Sequence, residues 1–523
     1  MSKINTEKTY LGIEFGSTRI KAVLIDDGFS VLASGAYGWE NRLENGYWTY
    51  SLDDIIKGLQ GAYAELASDV KEKFGETLTT IGAIGISAMM HGYMPFSSTG
   101  ELLVPFRTWR NSTTGKAAEK LTKLFDFKIP QRWSIAHLYQ AMLDREHHIV
   151  ELDYITTLAV YVHYMLTGVR AAGMGEASGM FPLDDEGQYD SEMLDKFDKE
   201  IKAAGYSWDI RAVLPEVKAA GESCGCLTEN GAKLLDPSGN LKSGIPFCPP
   251  EGDAGTGMTA TDSVLPRTGN VSAGTSIFSM LVLEHELNGI YDDIDIVVTP
   301  DGRPVAMVHC NNCCSELDAW VKLFGEFTAL TGREMSAGEL YELLYKNAMN
   351  GDTDCGGVLA YNFLSGEPTL NMDEGRPMYF RRPDSNFNLA NFIRAELYSA
   401  FALLKMGMDI IFEQGVPADR FTGHGGLFKV KGAAQQLLAD ALNAPVSVTE
   451  TAGEGGAWGM ALLAAYMQLG EGTDLAEWLS KNVFADVESS VAVPDPAGVK
   501  GFSRFMFDYR RGLSAQFAAA GRN

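Results

Sequence analysis

Two stretches of this sequence, about half of its 523 residues apart, follow one plan. In the first, Leu11, Ile13 and Phe15 alternate with smaller or polar residues, Gly16-Ser17-Thr18 turns the chain, and Lys21 to Ile25 runs back. In the second, Gly269 to Ala273 leads into Gly274-Thr275-Ser276, and Ile277 to Leu283 returns. Short apolar runs joined by a tight glycine turn read as antiparallel strand pairs. Bare backbone and hydroxyls in such a turn let amide N–H groups approach an anion. A plan that recurs at this distance points to two similar sheet-containing domains.

The segments between them fit α/β layering. Ser51-Leu52-Asp53-Asp54 is a helix start, with Ser51 as N-cap and acidic residues in the first turn, ahead of Ile55, Leu59, Ala62, Tyr63 and Leu66 on one face. Thr80 to Ile86 reads as a buried strand that runs into Met89-Met90-His91-Gly92. In the second half, Phe392 to Glu413 has apolar residues at helical spacing, and Gly423-His424-Gly425-Gly426 lies between the strand-like Arg420-Phe421-Thr422 and a helix over Gly432 to Leu442. Beyond Gly472 the pattern becomes irregular, and Asp495-Pro496-Ala497-Gly498 is expected to separate a final helix from the body.

Composition narrows the partners. With 46% apolar and 21% charged residues the chain is globular. Its 43 basic and 68 acidic residues give a net charge of −25, which repels nucleic acid and anionic membranes. Any anionic ligand must be held by local chemistry. Met1 to Thr9 is polar and no apolar run approaches 18 residues, so neither secretion nor a membrane span is indicated and a cytoplasmic location is expected. Seven cysteines suit reduced thiols, and Cys310, Cys313 and Cys314 read as packed thiols rather than a metal site.

The glycine turns at Gly16, Gly274 and Gly425 together suit a nucleoside triphosphate, although neither a G-x-x-x-x-G-K-[ST] loop nor a strand-linked G-x-G-x-x-G is present. A serine hydrolase is excluded because Gly85-Ile86-Ser87-Ala88-Met89 lacks the final glycine of a nucleophile elbow.

Several motifs then fall in a recognisable order: Gly12 to Ala22, Met90-His91-Gly92, Leu166-Thr167-Gly168, Ala177-Ser178-Gly179, Leu214 to Val217, Pro250-Glu251-Gly252-Asp253, Ser272 to Thr275 and Gly423 to Gly426. From about Tyr10 to Met467 the sequence resembles the FGGY carbohydrate kinases, most of all the xylulokinase and ribulokinase branch. The resemblance implies two ribonuclease-H-like α/β domains of the actin/hexokinase type, with the active site in the cleft between them. Expected boundaries are 8–257 for the first domain, 258–470 for the second and 471–523 for a C-terminal helical extension.

It also implies roles. Asp253 matches the catalytic base. Gly16, Ser17, Thr18 and Lys21 match the first phosphate motif, Gly274, Thr275 and Ser276 the second, and Gly425 and Gly426 the adenosine motif. Met90, His91, Gly92, Trp109, Arg110 and Asn111 fall where the family contacts sugar, together with Asp253. A ketose suits such a mixture, an apolar wall for its C–H face and donor–acceptor side chains for its hydroxyls. Glu14 stands where the family usually has an aspartate near magnesium, so Glu14 and Asp253 are expected to hold Mg2+ through water.

The implied activity is ATP-dependent phosphorylation of the terminal hydroxyl of a ketopentose, D-xylulose or L-ribulose. The alternatives are a kinase for another ketose or polyol, or a non-catalytic ATP-dependent switch of the same superfamily. Local sequence leaves Glu251-Gly252-Asp253 open to a plainer reading as an acidic turn. Phe502, Phe505, Phe507 and Tyr509 are expected to pack on the chain's own body or on a second copy in a homodimer.

Overall fold

The computed structural model describes residues 4–449 and 455–521. The chain divides into two compact units, each discontinuous: Met1–Val264, Ile296–Val305 and Glu454–Asp486 in the first, and Leu265–Asp295, Ala306–Gly453 and Val487–Asn523 in the second. These units cut across the linear boundaries expected from sequence, because the segment after residue 470 contributes to both. Among the described residues no helix is long and apolar enough to cross a membrane.

In the first unit, β1 (Thr9–Phe15) and β2 (Arg19–Asp26) form the expected hairpin, with Phe15 opposite Ile20, and β3 (Val31–Gly38) pairs antiparallel with β2. Helix α1 (Leu52–Phe74) starts where the Ser51 hydroxyl accepts the Asp54 N–H, and it buries Ile55, Leu59, Ala62, Tyr63 and Leu66. Next, β4 (Ala83–Ala88) pairs parallel with β1. It begins three residues later than the sequence suggests, in register with Tyr10 to Phe15, and pairing rather than local apolarity sets its ends. The short helix α2 (Met174–Ser178) precedes β5 (Glu251–Gly252), which pairs parallel with β4 and runs straight into α3 (Asp253–Ala260). The sheet order is β5-β4-β1-β2-β3.

A helix from the far end of the chain, Gly455–Leu469, closes this unit. Small residues let it touch backbone: a Cβ on Gly12 would lie 2.0 Å from the Ala457 carbonyl oxygen, and one on Gly459 would lie 2.0 Å from that of Thr256. Replacing either glycine would separate the helix from β1 or α3.

The second unit repeats the plan. β6 (Thr268–Ala273) and β7 (Ile277–Val282) form a hairpin, β8 (Pro304–Cys310) lies beside β7, and helices α4 (Ser315–Leu330) and α5 (Leu389–Glu413) follow. β9 (Arg420–His424) pairs parallel with β6; then come α6 (Ala433–Leu442) and β10 (Val446–Thr449), which is parallel to β9. The edge strand β11 (Ser489–Ala492) is antiparallel to β10. The four strands β7-β6-β9-β10 thus match β2-β1-β4-β5 in order and direction.

The final helix α7 (Pro496–Ala519) starts inside the segment expected to separate it: the Asp495 carboxylate accepts the Ala497 N–H and Pro496 takes the first helical position, where no N–H is needed. Phe502, Phe505 and Tyr509 are buried within their own unit, with the Tyr509 ring stacked on Tyr361 at 4.5 Å, whereas Phe507 is exposed. Cys310, Cys313 and Cys314 are buried free thiols, and the Sγ atoms of the last two lie 3.5 Å apart.

Candidate active site

Strand ends bring the acidic residues of the first unit together. Glu14, near the end of β1, faces Lys21 on β2 and Ser87 on β4. Asp253 opens α3, where the chain leaves β5, and its Oδ1 accepts the Met90 N–H at 3.1 Å. The Ser87 and Thr256 hydroxyls bond at 3.1 Å beneath. The start of the helix Gly455–Leu469 comes so close that a Cβ on Gly456 would lie 2.3 Å from Glu14 Oε1, and the Ala457 N–H donates to the Glu14 carboxylate.

These surroundings tune the acids. Burial raises the Glu14 pKa to about 7, helped by the negative charge of Asp253 and opposed by Lys21 and the Ala457 N–H. Asp253 keeps an accessible side chain, yet displacement of water by the surrounding protein lifts its pKa to about 6, against N–H groups of Met90, Ala254 and its own backbone. A carboxylate with a pKa near the working pH is ionised enough to accept a proton and basic enough to want one.

The loop that carries Met90, His91 and Gly92 is held firmly. His91 has φ +70° and Gly92 φ +93°; the Gly92 N–H donates to the Arg132 carbonyl and the Ser134 hydroxyl donates to the Gly92 carbonyl. His91 Nδ1 lies 3.3 Å from the Gly179 carbonyl oxygen, and its ring runs nearly parallel to Trp133. Burial and the charge of Arg132 hold His91 well below the ordinary imidazole pKa, so it is neutral. Because a carbonyl only accepts, Nδ1 carries the proton and Nε2 is left as an acceptor.

Trp109 is partly buried against the core. Arg110 is exposed, its guanidinium 4.1 Å above the Trp48 ring and 3.1 Å from Asn41 Oδ1. Asn111 is buried, and its amide brackets the Trp48 backbone, accepting its N–H at 2.8 Å and donating to its carbonyl at 2.9 Å. It therefore shapes the wall that Trp48 and Arg110 form.

Both glycine turns are tied from behind. In the first, the Trp39 indole N–H donates to the Gly16 carbonyl, the Tyr50 hydroxyl to that of Ser17 and the Trp39 N–H to that of Thr18. In the second, the N–H groups of Cys313 and Cys314, at the start of α4, donate to the carbonyls of Thr275 and Gly274. Gly425, at φ +99°, lies so near β6 that a Cβ would sit 2.4 Å from the Ala273 carbonyl oxygen. A Cβ on Gly274 or Gly426 would meet nothing within 4 Å, so packing within the protein does not require glycine there.

Family models settle what this chain is related to. Residues 9–258 match the N-terminal domain, and residues 269–468 the C-terminal domain, of the FGGY family of carbohydrate kinases. The chain belongs to the FGGY family. This carbohydrate kinase is 22% identical to a xylulose kinase of Haemophilus influenzae, over 97% of this chain and 99% of that one. Its fold matches crystal structures of a xylulose kinase from Rhodospirillum rubrum (16% identity, TM-score 0.79, 98% of this chain and 100% of that one) and a gluconate kinase from Lactobacillus acidophilus (16%, TM-score 0.78, 98% and 99%). The architecture is therefore of the actin/hexokinase type, and membership of the family implies the use of ATP.

Within the first unit of the kinase, the structure gathers Glu14, Lys21, Met90 and Asp253 about the strand ends. Sequence reasoning overlooked two further acids beside them. Glu251 is buried and accepts the N–H groups of Gly175, Glu176 and Gly252, yet burial still raises its pKa to about 8. Glu176 is fully buried, and burial, with the charges of Glu251 and Asp253, puts its pKa well above the ordinary range against the easing effect of the Thr157 hydroxyl. The signal for Glu251 was an acid two residues before the matched Asp253. Gly455-Gly456-Ala457 was a second usable signal, since consecutive small residues at a helix start permit the close approach to Glu14.

Proposed function

We propose that this kinase transfers the γ-phosphoryl group of ATP to the terminal hydroxyl of a ketopentose, D-xylulose or L-ribulose, giving the 5-phosphate and ADP. The observation that carries the reading is Asp253: an accessible carboxylate at the start of α3, aimed by the Met90 N–H, with a pKa raised to about 6. Asp253 accepts the hydroxyl proton as the sugar oxygen forms its bond to the γ-phosphorus and the bond to the β–γ bridging oxygen breaks. The bare His91 Nε2 accepts from a second sugar hydroxyl, and the Trp48–Arg110 wall covers the C–H face. The relatives named as xylulose kinases favour D-xylulose over L-ribulose.

Since the carbonyls of both glycine turns are engaged by the protein, their hydroxyls and remaining amide N–H groups are what a phosphate meets, with Lys21 as the cation. Gly16, Ser17 and Thr18 serve on the first unit, and Gly274, Thr275 and Ser276 on the second. Gly425 and Gly426 serve the adenosine. The open space at Gly274 and Gly426 supports this, for glycine is then kept for the ligand's approach.

Mg2+ suits the acidic pair. Glu14 is pushed up in pKa partly by Asp253, so a cation is the group that the pair lacks, and Mg2+ is usually bound by one or two carboxylates plus waters and phosphates. Glu14 and Asp253 would hold it through water, and when bound it offsets charge on the phosphates. The methylene that Glu14 adds over aspartate carries its carboxylate to the Ala457 N–H.

A coupled ADP-release assay over D-xylulose, L-ribulose, D-ribulose, L-xylulose, L-fuculose, gluconate and glycerol tests the proposal. D-xylulose or L-ribulose should give the highest kcat/KM. Preference for gluconate or glycerol would replace the substrate class, and no stimulation by any of them would favour an ATP-dependent switch.

A further inference from the structure

A closed circuit of hydrogen bonds stands behind Asp253. Asp253 accepts the Met90 N–H at 3.1 Å. The next residue, His91, donates from Nδ1 to the Gly179 carbonyl at 3.3 Å, just past the end of α2. The other end of α2 is held by Glu251, whose Oε1 accepts the Gly175 N–H at 3.2 Å and whose Oε2 accepts the Glu176 N–H at 3.0 Å. Glu251 then returns through Gly252 to Asp253, and its Oε2 also accepts the Gly252 N–H at 3.3 Å. The Gly173 N–H adds a bond to the Pro250 carbonyl at 2.8 Å.

The neighbours are shaped to admit this carboxylate. A Cβ on Gly173 would lie 2.1 Å from Glu251 Oε1, and one on Gly175 would lie 2.5 Å from Oε2. A Cβ on Gly252 would strike Met90 Cγ at 2.0 Å, so the strand leading to Asp253 and the loop that aims it are in direct contact. Even with a pKa raised to about 8, the acid keeps lone pairs on both oxygens for three N–H groups, which an amide does not. Glutamine offers one accepting oxygen and turns an NH2 toward donors.

We propose that Glu251 is a positioning residue: by gripping the start of α2 it sets, through Gly179 and His91, the Met90–His91 loop that fixes both the sugar and the Asp253 carboxylate. The inference rests on Asp253 being the base. It extends that reading by placing the rigidity of the base in an acid that touches neither substrate nor nucleotide. Displacement of a reacting group by about 1 Å can cost on the order of 100-fold in rate, so a loosened circuit is visible in turnover.

The test uses the full chain. Glu251→Gln should lower kcat on the best sugar by about 10–100-fold, the scale of such a displacement, while KM for ATP stays unchanged. Hydrogen exchange, read without sugar, should accelerate at the Met90, Gly175 and Glu176 amides in this variant. Gly175→Ala moves the carboxylate without removing it and should give the same signature. If both act through one circuit, the double variant should be no slower than the slower single one. Wild-type kcat in E251Q, unchanged exchange at Met90, or losses that multiply in the double variant would each overturn the proposal. If E251Q does not fold, Gly175→Ala and Glu251→Asp carry the same readouts. A wild-type enzyme inert toward every ketose defeats the substrate reading in the assay, whereas the exchange pattern judges the circuit by itself.

Discussion

Glu14 and Ser272 hold the same place in two copies of one strand plan, two residues before the turn glycine, and only the first is charged. Across the hairpin, Glu14 faces Lys21 while Ser272 faces Phe278. The turns differ in support as well. Side chains of Trp39 and Tyr50 engage most of the carbonyls of the first, and backbone amides of Cys313 and Cys314 engage those of the second. A shared scaffold thus fixes where strand ends lie, and the side chains placed there decide the chemistry. In the proposed reading the first unit would carry proton transfer and charge and the second would offer a neutral cradle, which suits a chain of net charge −25 that must still bind polyphosphate.

The sharpest way to break this division is Asp253→Asn. General-base removal typically costs about 10²–10⁴-fold, so kcat should fall by that much, far more than calorimetric ATP affinity measured without Mg2+ changes. Turnover near the wild-type rate would move the base elsewhere. The cradle is tested by two glycines. Gly425→Ala puts a Cβ at positive φ against the Ala273 carbonyl and should cost roughly 1–3 kcal/mol of stability, seen as a lower Tm. Gly274→Ala meets open space, so Tm should hold while ATP binding weakens about tenfold, or 1.4 kcal/mol. Equal effects on Tm would erase the distinction between a packing glycine and a ligand glycine.

How much of this was legible in the sequence depended on range. The two hairpins, the Ser51 cap and the long α5 rest on residues a few positions apart, where periodicity and turn chemistry dominate. The motif order carried the eye to Asp253. What stayed hidden was non-local: the helix Gly455–Leu469 joins a strand more than 400 residues earlier through Gly12, and no local pattern announces that contact. Glu251 was visible as a letter but not as a grip on α2, because its donors lie some 75 residues away. Asn111 looked like a sugar ligand, and only the structure reveals that its amide is occupied by Trp48.

Acid titration separates the units further. As the proposed base, Asp253 works ionised, so kcat/KM should decline as pH falls through about 6. Stability should move the other way. A carboxyl whose pKa is raised on folding binds its proton more tightly in the native state, so the penalty of ionising it is full above the folded value and disappears below the unfolded one. For Glu14 and Asp253, with folded values of about 7 and 6, the ligand-free protein should gain stability from these groups as pH drops from 8 toward 5. Glu14→Gln should flatten that gain in a Tm-against-pH series, and an unaltered slope would show that Glu14 is not strained by its neighbours.

The smallest effect tests how the first turn is held. Tyr50→Phe removes only the hydroxyl that donates to the Ser17 carbonyl at 2.6 Å. A single hydrogen bond of this kind contributes about 1 kcal/mol, so Tm should fall slightly. The ring remains stacked on Trp39 at 4.0 Å, so the wall behind the turn is kept and only the tether is cut. If the turn meets phosphate, KM for ATP should rise severalfold while KM for the sugar stays fixed. A drop in Tm with no change in KM for ATP would make Gly16-Ser17-Thr18 a structural turn and leave the polyphosphate to the second unit's cradle. The second unit's turn is gripped by backbone amides, which among substitutions only proline removes, and proline also fixes φ, so the cut is less clean there.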